Sequence, residues 1–237
     1  AAGFTALEAG SVRTKNVTEI LTKNVALFAV ASVAFLLSGY EIMYGWNEPK
    51  THSMYADFFF QMVFCATAMS IVSGAVAERK KLWSFLIFSA IFTGFIYPLE
   101  GAWTWGGGFL SKLGFVDFAG SGIVHMAGAA AAIAAVIIIG PREGKYDKHG
   151  NPKNIPGSNM PLVALGTLIL WLGWFFFNGG SQLAFSTIVD AKALGKIFVN
   201  TNMAAAGGLL GAMIASKLWS KKVILNVTLN GTLAGLV

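Results

Sequence analysis

Residues 118–140 read FAGSGIVHMAGAAAAIAAVIIIG, twenty-three positions without an Asp, Glu, Lys or Arg. At 1.5 Å per residue a helix needs roughly 20 apolar residues to cross the hydrocarbon of a bilayer. This stretch has that length, and it is not alone. Charge-free runs recur at 24–40, 58–77, 82–99 and 197–216, and one more lies inside the uncharged region 154–189, best placed at 161–181. The chain is 55% hydrophobic and 12% charged. A soluble domain carries about a quarter of its residues as Asp, Glu, Lys and Arg. So few charges cannot coat a water-facing surface, whereas a bilayer removes the need for one. The fold class is an all-α membrane protein, a polytopic helical bundle.

The runs extend to helices over 17–45, 56–78, 82–104, 117–140, 161–181 and 196–218. Residues 1–12 read as the tail of a further helix, and another begins near 225. The sequence is therefore expected to be part of a longer chain. Loops then alternate between two sides. One side carries Arg13 and Lys15; Arg79, Lys80 and Lys81; Arg142, Lys145, Lys148 and Lys153; and Lys217, Lys221 and Lys222. The other carries only Lys50, Lys112, Lys192 and Lys196, while Lys23 falls inside the second helix and counts for neither. Twelve against four over short loops assigns the first side to the cytoplasm. The net charge of +6 is thus topological, and no basic patch with interleaved aromatics points to nucleic acid.

Trp46, Tyr55, Tyr97, Trp103 and Trp105 fall at outer helix ends, where a belt of interfacial aromatics is expected. Small residues crowd Gly122–Ala132 and Ala204–Gly208, which predicts tightly packed helices there, since in lipid close backbone approach drives association. The lone cysteine, Cys65, excludes an intrachain disulfide. No metal cluster, nucleotide loop or nucleophile–base pair stands out, so neither an enzyme nor a cofactor or metal protein is expected. The glycosylation triplets at Asn16, Asn226 and Asn230 fall on the cytoplasmic side or in the membrane and are set aside.

Ionisable groups inside a bilayer are rare and mark function. Asp117 opens its helix, where a carboxylate suits the free N–H groups and the positive helix end; an N-cap is the simpler reading, a cation-attracting charge at the outer mouth the other. His125 lies eight residues on, about 12 Å deeper. A buried imidazole there needs a hydrogen-bond partner. It serves either a pathway or a helix–helix contact, and position alone leaves both open. Three aromatic segments reach the same outer depth: Phe58-Phe59-Phe60-Gln61 with Phe64, Trp103-Thr104-Trp105 with Gly106 to Gly108, and Trp174 to Phe177 followed by Asn178-Gly179-Gly180-Ser181.

Several of these runs resemble, in order and spacing, the motifs of the Amt branch of the Amt/Rh ammonium transporters. They are Leu7 to Asn16, Phe59-Phe60-Gln61-x-x-Phe64, Ser73 to Arg79, Trp105 to Gly108, Gly114 to Ser121 with His125, and Gly173 to Ser181; the likeness covers essentially all of 1–237. It implies an eleven-helix bundle with an inverted repeat, assembled as a homotrimer in the inner (plasma) membrane, of which 1–237 is a partial transmembrane domain running from the end of the first helix to the start of the eighth. The sequence hints at the repeat in Glu8-Ala9-Gly10-Ser11 beside Asn178-Gly179-Gly180-Ser181. The resemblance further implies that Trp105, Phe64 and Ser181 form an outer recruitment site for the ammonium ion. Phe64 and Phe177 would flank the pore constriction, and His125 would be the first of two pore histidines. A PII-type regulator or a fused cytoplasmic signalling module is an implied partner, the latter making the chain a sensor rather than a transporter. The sequence departs from the family at Ala102, where many members carry His, and at an unusual Glu100, expected to face water.

Overall fold

The computed structural model describes residues 1–46 and 52–237, so Lys50 of the sequence-based topology lies outside the described residues. Eight helices correspond to the eight apolar segments: α1 Ala2–Ser11, α2 Thr14–Met43, α3 Met54–Ala75, α4 Leu82–Ala102, α5 Ser121–Ile139, α6 Met160–Gly180, α7 Ile188–Ser220 and α8 Leu225–Leu236. Among the described residues there is no strand, and α2 to α7 are each long and apolar enough to cross a membrane. The chain is a multi-pass helical membrane protein.

Two compact units divide it, Glu8–Asn159 and Met160–Val237, with Ala2–Leu7 belonging to the second. In the first, α3 is the central helix. It packs against α2 and α5 and buries Met62, Phe64, Cys65, Ala66, Ala68, Met69 and Val72. The approach of α5 is set by Gly128, where a Cβ would lie 2.6 Å from the Ala68 carbonyl oxygen. This is the close helix contact that the small residues of 122–132 predict.

Three helices of this unit contain a wide π turn, at Phe35–Gly39 in α2, Phe92–Ile96 in α4 and Ser121–Met126 at the start of α5. A π turn frees backbone carbonyls from the regular ladder. Ser38 Oγ donates to one of them, Gly94 O, at 2.9 Å, and Cys65 Sγ to another, Thr93 O. The first two π turns thereby pack against each other.

In the second unit, Leu170, Trp174, Ala205 and Leu236 form the core, with Phe4, Leu7 and Phe177 against it. Gly208 of α7 meets Gly231 and Gly235 of α8 at backbone contact. Within its unit α7 otherwise buries Thr201, Ala205 and Ser216, so Ala204–Gly208 packs closely along the α8 seam and, through Ala205, against Leu170 and Trp174 of α6.

Four expectations need correcting. Helix α7 begins at Ile188 rather than 196, because Thr187 and Asp190 form a reciprocal capping box. Lys192 and Lys196 therefore lie on its first turns and not in a loop. Helix α5 begins at Ser121, four residues after Asp117. Tyr97 is not an interfacial aromatic: it is 0% exposed, turned inward beside Phe92. Glu100 does not simply face water either. Helix α4 continues through Pro98 to Ala102, and Glu100 Oε2 is enclosed with no hydrogen-bond donor among the described residues.

Candidate functional site

Phe64 is almost fully buried on α3. Its ring lies 6.0 Å from that of Trp105 at 49°, and Phe60, one helical turn above, meets Phe64 edge-on at 4.5 Å. The Trp105 indole is half-buried and fixed: Nε1 donates to the backbone carbonyl of Asp117 at 2.9 Å. The result is a rigid aromatic surface whose quadrupole attracts a compact cation, by about 2 kcal/mol or more when water is excluded.

Asp117 links this surface to α5. One carboxylate oxygen accepts from Gly120 N at 2.8 Å, and the other from Gly122 N at 2.9 Å and Ile123 N at 2.8 Å. Gly122 N and Ile123 N are orphan N–H groups of the first turn of α5, and Gly120 N belongs to the residue just before it. Asp117 thus caps the helix from outside it, which the chain achieves by turning at Gly120 with φ of +117°. A Cβ at that position would also collide with Val124. The Gly120 carbonyl then accepts from both Val124 N and His125 N at 2.9 Å, so the wide turn delivers His125 one turn inside the helix. His125 is buried, 9% exposed.

Ser181 and Phe177 belong to the second unit. Ser181 follows α6, and its hydroxyl donates to the Phe177 carbonyl at 2.8 Å. Because the proton is engaged there, the oxygen keeps its lone pairs for a donor such as N–H. The Phe177 ring lies 5.8 Å from Trp174. Asn178 Nδ2 donates to Thr201 Oγ1 of α7 at 2.9 Å and anchors the segment. The first unit therefore brings together Phe64, Trp105, Asp117 and His125, while Phe177 and Ser181 are arranged within the other.

Two ionic clusters of the first unit escape the sequence reading. Lys23 is fully buried. Its Nζ contacts Glu8 Oε1 and donates to the Ser73 carbonyl at 3.2 Å, while Glu8 Oε2 accepts from Asn24 at 2.9 Å and Ser73 Oγ at 2.8 Å. The second cluster centres on Glu78, whose φ of +63° is a left-handed conformation rare for a side-chain-bearing residue. Its carboxylate accepts from Arg13 N and Nε, Asn16 and Arg142, so it ties three basic turns together. Burial alone would raise the Glu78 pKa, but the bonds from Arg13, Asn16 and Arg142 bring it from 4.5 down to about 2. A lone Lys in an apolar run demands a counter-charge, and Lys23 carries that signal in the sequence. Glu78 carries no comparable signal. Among the described residues no group of three or more His, Cys, Asp or Glu is placed to hold a metal ion.

The model of the Ammonium Transporter Family matches residues 1–237. Ammonium transporter Amt2 of Archaeoglobus fulgidus is 44% identical over 260 residues, a match spanning 100% of this chain and 55% of that protein. A solved structure described as a sensor Amt protein superposes with a TM-score of 0.92 at 38% identity, over 99% of this chain and 62% of the other. Mep2 of Candida albicans superposes with a TM-score of 0.85 at 28% identity, over 99% of this chain and 55% of the other. The chain thus spans about half the length of the relatives it matches.

Proposed function

Since the chain belongs to the Ammonium Transporter Family, we propose that it forms the recruiting and first pore-lining part of a transmembrane ammonium transporter. In this reading NH4+ is drawn to the face of Trp105 beside Phe64 and donates one hydrogen bond to Ser181 Oγ. It then passes the rings of Phe64 and Phe177, where bulk water is excluded. A bare cation is costly in such a path. Ammonium can give its proton to the water of the outer mouth and continue as NH3, with His125 exchanging hydrogen bonds; potassium cannot. Asp117 holds the geometry rather than the ion, since its carboxylate is occupied by three N–H groups. The observation that carries the proposal is the Phe64–Trp105–Asp117 arrangement leading directly into the turn that presents His125.

The same reading takes residues 1–237 as a partial Amt-type domain of a homotrimer in the inner membrane, with the loop 141–157 cytoplasmic, and keeps a PII-type regulator as a partner that the family implies. No catalytic chemistry is assigned to it. The test is reconstitution of the full-length protein in vesicles, with ammonium-evoked current measured against potassium. The expected result is uptake selective for ammonium, read as current where the proton crosses too and as a rise of internal pH without current where NH3 crosses alone; the absence of both uptake and ammonium binding would overturn the proposal. The likeness to a sensor Amt protein favours a second reading, in which the same site binds ammonium and signals through another module. Ammonium binding without flux would select it.

A further inference from the structure

Lys80 lies in the turn between α3 and α4, yet its side chain is turned inward. Nζ is enclosed on the face of Phe85 and has no hydrogen-bond acceptor among the described residues. It shares an apolar groove with Val76, Phe85 and Phe88. Its two basic neighbours in the chain are placed differently. The Arg79 guanidinium donates to the Gly140 and Ala75 carbonyls, and Lys81 is exposed.

The charges that face Lys80 are those of Lys23 and Glu19 on α2 and of Glu8 on α1, and that of Lys23 weighs most. Glu8 is committed elsewhere, since its carboxylate contacts Lys23 and accepts from Asn24 and Ser73. Lys23 Nζ lies 5.4 Å from the same Phe85 ring. It uses two of its three N–H groups on Glu8 and the Ser73 carbonyl. Burial, and after it Lys23, lowers the Lys80 pKa from 10.5 to about 6, against the opposing pull of Glu8 and Glu19. At neutral pH most of this side chain is then free amine, a fraction on the order of a thousand times that of an ordinary lysine. A free amine in an apolar surrounding, with its lone pair unused, is a nucleophile.

We propose that Lys80 is a site of reversible carbamylation by carbon dioxide. The Nζ lone pair attacks the carbon of CO2, a C–N bond forms as one C=O pair moves onto oxygen, and an amine proton leaves to water. RNH2 and CO2 thus give RNHCOO− and H+, with no oxidant or further reactant. CO2 is small and apolar enough to pass between packed side chains, so the step does not require the groove to stay open in the full-length protein. The product reverses the sign of the group. Lys23 opposes an ammonium group at this point, whereas it attracts a carbamate and has a third N–H to donate to one. Carbamylation would couple dissolved CO2 to the Glu8–Lys23–Ser73 cluster, which joins α1, α2 and α3, whatever species the pore conducts.

The test is 13C NMR of the purified full-length protein, carrying 15N at the lysine Nζ and equilibrated with 13C-labelled CO2 and bicarbonate. Wild type is expected to show, at neutral pH, a carbamate carbon coupled to 15N that disappears when CO2 is removed. Lys80→Arg, or Lys80→Gln if the first does not fold, should abolish it, and Lys81→Arg should leave it unchanged. At constant CO2 pressure the signal should fall at least about tenfold between pH 7 and pH 5, as an amine with a pKa of about 6 takes up its proton. No lysine carbamate in wild type overturns the proposal, and it is the result expected if an acidic side chain outside residues 1–237 pairs with Lys80. A spectrum unchanged by substitution of Lys80, or a signal undiminished at pH 5, overturns it as well.

Discussion

The indole N–H of Trp105 donates to the carbonyl oxygen of Asp117 at 2.9 Å, and the Asp117 side chain in turn holds the N–H groups of Gly120, Gly122 and Ile123 at the start of α5. An aromatic face and a buried histidine are thus set by one residue. Displacing either group should be felt at the other.

Trp105→Leu removes the aromatic face and the bond to Asp117 together. With about 2 kcal/mol of cation–π attraction lost from a desolvated site, half-saturating ammonium should rise by about 30-fold. Trp105→Phe keeps a weaker face without the N–H and should fall between. Ammonium-evoked currents in vesicles measure both. Unchanged affinity and selectivity in Trp105→Leu would reduce the residue to an interface anchor.

Asp117→Ala removes two acceptor oxygens, and with them three hydrogen bonds, from one helix start. Loss of a cap costs about 0.5–2 kcal/mol, and bonds to a charged acceptor about 1.5–3 kcal/mol each. The thermal midpoint of the purified protein should drop clearly, and transport should fall with it because His125 loses its register. Asp117→Asn offers a single carbonyl oxygen where the native residue uses two, and should recover only part of the loss. A variant of normal stability would show that Gly120 alone sets the turn.

The helices are legible in the lengths of the apolar runs, because the bilayer imposes nearly the same requirement on each. The start of α7 is harder to see: Lys192 and Lys196 interrupt the run, although Thr187 and Asp190 carry the capping signal. At α5 the residue type points to a cap and the position misleads. Asp117 suits the role, but nothing in the sequence shows that a left-handed Gly120 lets it act from four residues before the helix. Glu8 and Lys23 lie on different helices and meet only through packing, so each looks isolated in the sequence. Glu100 looks solvent-facing there because the π turn of α4, which sets its direction, leaves no mark on hydropathy.

The buried Glu8–Lys23 pair makes a prediction about coupling. Removing one partner of such a pair leaves a charge stranded in a medium of low dielectric, a cost of about 3–5 kcal/mol. Glu8→Gln and Lys23→Met should each destabilise strongly, and the double variant should cost far less than their sum. Denaturant unfolding of the four proteins closes the cycle. Additive losses would mean that the pair contributes nothing beyond packing.

Glu78 predicts a pH dependence. Its folded pKa, about 2, lies below the ordinary 4.5, so the folded state binds its proton less readily than the unfolded state. The stabilisation is complete above about pH 4.5 and is lost as pH falls through about 2. Glu78→Gln lacks it at every pH. The gap in melting midpoint between wild type and variant should be constant near neutrality and close between pH 4.5 and 2. A gap that persists at pH 2 would assign the effect to the left-handed backbone of residue 78 instead.

His125 offers the sharpest division between a pore and a packing role. A histidine that only bridges helices can be replaced at a cost in stability, with selectivity untouched. A histidine lining a dry path below the Phe64 ring sets which species can pass, because there the pore cannot replace the water shell of a bare ion. A neutral imidazole accepts or donates a hydrogen bond, which suits ammonium losing its proton and offers potassium little. His125→Asp substitutes a fixed negative charge, which attracts any small cation. Potassium current through the full-length variant should therefore rise toward the ammonium current, while wild type excludes it. Binding should be measured beside flux, so that a sensor, which has no current to lose, is still tested. A folded His125→Asp protein that keeps its ammonium response and still excludes potassium would make the residue structural.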